Sequence, residues 1–293
     1  MSREKDKKCG GQDRVAALTD AGADVVGAAI GTGVSLLSGD PMTAIGGTIA
    51  GSVAANTIKY IVTEVRERAL SKREALRVED TLTMTVDCIQ KNLEDGKRLR
   101  DDGFFARGED ERSSAEEIFE GTVLVAQREC EERKLRLIAR LNANIAFDDS
   151  VSRLSANQLL KLASELTYRQ ILILRVVGLL QMLPQIDGLK AVAPLNDPRL
   201  KTQFKEVRGV ENVAIASEVY ALYRMSLLSS TSAVFDPAGI NPSHLSLCGY
   251  GAQLFKLMEL GGEDFINEDS AAIYSLLTGA KDVRSVEGGA CGS

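Results

Sequence analysis

His244 is the only histidine of the chain, so a Ser-His-Asp triad would have to be built on the loop after Pro242. One histidine also leaves no HExxH helix, no pair of ExxH motifs and no Cys/His finger. Carboxylates cluster at Asp101-Asp102 and at Glu109-Asp110-Glu111, where they could hold a cation or act as acid and base. Adjacent side chains diverge, however, and acidic runs of this kind are ordinarily solvated loop. Gly31-Thr32-Gly33 begins like a nucleotide fingerprint, but no strand precedes it and neither GxGxxG nor GxxxxGK[ST] is completed. Cysteines at 9, 88, 130, 248 and 291 form no CxxC pair and read as reduced packing thiols. The expectation is a non-enzymatic chain with no catalytic residue, no cofactor and no metal site.

Residues 23–55 carry a different signal, that of close helix approach. Small residues recur every fourth position as Ala23, Gly27, Gly31, Ser35 and Gly39, and again after Asp40-Pro41 as Thr43, Gly47, Gly51 and Ala55. A spacing of four aligns them on one helix face, and a ridge without side chains lets two helix backbones meet closely. Each glycine costs a helix about 1 kcal/mol relative to alanine, so such a face needs tight packing or a membrane to offset it. The intervals from Asp24 to Asp40 and from Asp40 to Lys59 contain no charged residue. As helices they span about 22 and 27 Å, short of the roughly 30 Å of bilayer hydrocarbon. Their Gly, Ser and Thr content lowers hydropathy further, so insertion suits an oligomer of closely packed hairpins better than a single one. Lys59 and Tyr60 would then anchor the second helix among headgroups. The expected packing and membrane residues are Gly27, Gly31, Gly39, Gly47, Gly51, Lys59 and Tyr60.

Such positions need a helical frame, and the remaining sequence predicts one. Tryptophan is absent and aromatics make up only 5% of residues, while Ala, Leu, Arg and Glu favour helix. Residues 1–12 read as a mobile tail and 13–58 as the zipper hairpin. No glycine or proline follows Gly51 before Leu93, so the second helix is expected to run unbroken through that interval. Its 3.6-residue periodicity turns Ile58, Ile61, Val65, Ala69, Leu76, Val86, Ile89 and Leu93 inward. A charged loop carrying Phe104 and Phe105 follows. Ser114–Glu117 reads as a capping box opening a helix to about Ala146, with Phe119, Val123, Ala126, Cys130, Leu137, Leu141 and Ile145 inward. A turn at 148–150 leads to helices over 155–165 and 167–182, and the helical body is assigned to 59–208.

After Gly209 the pattern changes to helix (210–228), a β-capable run (229–235), a turn-rich loop, a second short strand (245–247) and a helix (250–260). That order, with LSLCGYGAQLFKLM, resembles the wing-to-helix segment of a winged-helix unit, with Cys248 where a threonine is usual. This region, 209–293, holds the whole net charge of -6, because Arg224, Lys256, Lys281 and Arg284 face ten Asp and Glu. Nucleic acid is therefore not an expected partner. The expected fold class is mainly α: long antiparallel helices with an N-terminal glycine-zipper hairpin, plus a small winged-helix-like α+β module at the C-terminal end.

The segments DDGFF, SSAEEIFEG, NANIAFDDS and LTYRQ, downstream of a glycine-rich hairpin, resemble a group of uncharacterised bacterial helical proteins. The resemblance implies a bacterial cytosolic protein and carries over no activity. The charged N-terminus has no apolar signal core, which agrees with a cytoplasmic location and association at the inner membrane. The leading expectation is a membrane-active protein whose zipper hairpin oligomerises in or inserts into the inner membrane, as a defence or stress effector. The alternative is a soluble helical scaffold or protein-interaction module with the zipper as its packing interface. Expected partners are further copies of the chain, inner-membrane lipid and an unidentified protein.

Overall fold

The computed structural model describes residues 52–107, 112–182, 210–231, 242–262 and 268–278, with Val234, Phe235, Pro237 and Ile240 between them. The chain is mainly helical, with one two-stranded sheet among the described residues. Packing divides it into one unit ending at Arg153 and another beginning at Leu154. The expected boundary at 208–209 lies outside the described residues, as does the zipper hairpin up to Gly51.

The first unit is built from α1 (Val53–Arg66), α2 (Lys72–Glu94), α3 (Ser114–Arg128) and α4 (Glu132–Ile145). Helix α1 starts at Ser52, whose hydroxyl accepts the Ala55 N–H. It buries Ala54, Ala55, Ile58, Ile61, Val62 and Val65 in a core shared with α2, α3 and Leu135 of α4. The continuous helix expected through Leu93 does not form. The chain leaves helix after Arg66 and restarts at Ser71, where a capping box joins the Ser71 hydroxyl to the Glu74 N–H and the Glu74 carboxylate to the Ser71 N–H. Ala69 and Leu76, expected inward, consequently lie exposed. The helix expected over 114–146 is likewise two, parted at Glu129–Glu131, and Cys130 is exposed there. Lys134 supplies the reason: its buried ammonium meets the buried Glu129 carboxylate at 2.6 Å, and Glu129 adopts extended backbone to reach it.

The cap of α3 is Ser113 with Glu116, one residue before the expected box. Burial opposes ionisation of Glu116, but hydrogen bonds from Arg107 and Ser113 outweigh it and hold the carboxyl below its usual range. Both cap residues are buried, so Ser113→Ala should cost about 1–2 kcal/mol in urea unfolding. Glu74 is only partly buried. The Ser71 side chain first, and the Ser71 N–H second, hold its carboxyl down to about 2. A depressed folded pKa means this cap contributes fully above the unfolded value near 4.3 and is lost as pH falls towards 2. In an NMR titration Ser71→Ala should move the Glu74 midpoint back up; an unmoved midpoint would remove the cap as its cause.

Contacts fix the directions of the helices. Arg77 and Glu74 at the start of α2 bind Gln127 at the end of α3, so these helices run antiparallel. Asn92 near the end of α2 donates to Asn144 near the end of α4 at 2.9 Å, so α2 and α4 run side by side in parallel. The α1–α2 and α3–α4 hairpins are therefore stacked in the same sense, with α2 packed on both α3 and α4.

The second unit contains α5 (Arg153–Glu165), which begins at the boundary, α6 (Tyr168–Met182), α7 (Val210–Arg224), β1 (Leu228–Ser230), β2 (Leu245–Leu247), α8 (Gly249–Leu257) and α9 (Glu268–Thr278). Helix α6 is apolar nearly all round and buried from Ile171 to Gly178, as a central helix should be. It packs against α7, β2, α8 and α9. Its one buried cation, Arg175, donates to the Leu260 and Gly262 carbonyls, closing the turn after α8. The strands pair antiparallel as Leu228 with Leu247, Ser229 with Ser246 and Ser230 with Leu245. The order helix, hairpin, helix expected from the sequence is present, with α7 ending four residues early.

Candidate functional site

Among the described residues, one buried polar assembly is centred on Arg100. The chain leaves α2 through Gly96, at φ +81, a backbone state that favours glycine. Arg100 is buried. Its guanidinium donates to the carbonyls of Asp148 at 2.9 Å and Val151 at 2.8 Å, and more weakly to Ile145. It also meets both Asp102 oxygens and lies 4.4 Å above the Phe104 ring. The Arg100 N–H donates to Ala146, and the Phe104 carbonyl accepts the Ala115 N–H in the first turn of α3. One loop thus satisfies carbonyls left open at the end of α4 and an N–H left open at the start of α3. Phe104 and Phe105 meet edge to face at 5.2 Å.

An open cleft of about 340 Å³ lies beside this loop, lined by Arg100, Asp102, Ser150 and Arg153 among others. Its chemistry is limited by its own contacts. The hydrogen bond from Arg100 holds the Asp102 carboxyl below the usual range, so at neutral pH it is an ionised acceptor and a poor proton donor. Each Arg100 nitrogen already donates to protein oxygen. Arg153 is paired to Glu117 at 2.5 Å. The arrangement latches a loop, and beside it the Ser150 hydroxyl donates to the Asp148 carboxylate at 2.5 Å.

A second cluster covers the side of α1 that faces α3. Arg107 lies 4.5 Å from the Tyr60 ring centroid and pairs with Glu116. Arg112 bridges Glu64 and Glu120, and Arg68 meets Glu120 at 2.6 Å. Tyr60 therefore has a protein cation above its ring, while Lys59 points to solvent. Gly27, Gly31, Gly39, Gly47 and Gly51 lie outside the described residues, as do Gly33, Glu109, Asp110 and Glu111. Asp101 is exposed. His244 ends a short 3-10 turn, and its carbonyl accepts the Thr231 N–H at 3.2 Å.

The sequence did not single out Arg100, Arg107 or Arg112; the run Arg98-Leu99-Arg100-Asp101-Asp102, two arginines followed by two aspartates, was the available signal. Among the described residues no group of three or more His, Cys, Asp or Glu side chains is placed to hold a metal ion, and no helix is long and apolar enough to cross a membrane. No protein-family model, no curated protein and no solved structure matches the chain.

Proposed function

We propose that this chain is a non-enzymatic helical scaffold for protein interaction, assembled into oligomers through its N-terminal small-residue segment. Helix α1 carries the proposal. Ala55, the last small residue of the second zipper, and its neighbours Ala54 and Ile58 are fully buried in the first unit's core. The uncharged interval before Lys59 is thus partly committed to the helical body, and only residues 41–52 of it precede α1. As a helix that remainder spans about 18 Å, well short of a bilayer core. Stacked hairpins also supply the extended faces that helical arrays use for partners. The segment 209–293, with its winged-helix-like element order and acidic balance, fits a protein contact better than DNA.

A second reading, a membrane-active bacterial effector, is favoured by the uncharged stretch from Val25 to Gly39. It requires α1 to leave its core, and hence a trigger. In cell fractionation the scaffold reading expects the full-length protein in the soluble fraction, with no dye release from anionic liposomes. Gly31→Leu and Gly47→Leu, which overpack the ridge by typically about 1–3 kcal/mol per site, should lower the oligomer mass in light scattering. Membrane fractionation with liposome leakage, abolished by removing residues 1–51, would transfer the case to the second reading. Unchanged mass in both variants would remove the zipper from the interface.

A further inference from the structure

We draw no further inference here: the strongest candidate, the open cleft lined by Arg100, Asp102, Ser150 and Arg153 beside the loop after α2, belongs to the site already described, and both of its arginines are committed to protein oxygens.

Discussion

Gly251→Ala should lower the stability of the second unit by about 3 kcal/mol, the upper part of the range for overpacking, although it adds one methyl group. Gly251 sits in the first turn of α8, where a Cβ would fall on the backbone carbonyl of Leu227. That carbonyl is held in place, since it accepts the Cys248 N–H at 3.2 Å beside the β1–β2 pairing. Neither side can yield without shifting α8 or opening the hairpin. Gly178→Ala makes a useful comparison: there the added methyl meets the Phe255 ring and the tip of Leu247, side chains that can repack at smaller cost. Gly96→Ala is the other control, because nothing lies near its Cβ direction and only its φ of +81 matters; it should cost about 1 kcal/mol. Urea unfolding of the three variants should rank them Gly251, Gly178, Gly96. A Gly251→Ala variant no worse than Gly96→Ala would mean that α8 does not approach the hairpin so closely.

The elements that could be read from sequence are those with local causes. Periodicity placed the buried sides of α1, α2 and α3, because Ile58, Ile61, Val65, Phe119 and Val123 face the core at helical spacing. The strand at 245–247 was legible from the turn-rich segment before it, whereas its partner, expected over 229–235, is the shorter Leu228–Ser230. The breaks within the long helices were less so. Ser71-Lys72-Arg73-Glu74 is a capping box on inspection, but without glycine or proline it lies among good helix formers and competes with simple continuation. The break before α4 depends on a buried Lys134–Glu129 pair, whose burial is a tertiary fact. At Ser113-Ser114 either serine could cap; Glu116, fixed by Arg107 from nine residues away, selects the first. The arginine latch was not legible at all, since Arg100 finds its carbonyls 45 to 51 residues downstream.

Arg100→Met should have the largest effect in the first unit, on the order of 3–5 kcal/mol. Methionine keeps an apolar stem of similar length but loses the guanidinium together with its contact over the Phe104 ring. Its removal leaves the Asp148 and Val151 carbonyls without their donor, and each buried acceptor left open costs about 1–3 kcal/mol. The Asp102 side chain is 38% exposed, so water takes over much of that pairing and it adds little. Arg100→Lys should recover only part, because an ammonium cannot serve three carbonyls and a carboxylate in the planar geometry of a guanidinium. The acid limb provides a second readout. Since Arg100 lowers the folded pKa of Asp102, this carboxyl contributes stability above its unfolded value near 3.9, and loses it as pH falls through the folded value. In Arg100→Met the Asp102 titration should return to the ordinary range, and stability should depend less on pH below 4. A loss under about 1 kcal/mol, with Asp102 still titrating low, would show that the loop is held by its Phe104 and backbone contacts and that the guanidinium is dispensable.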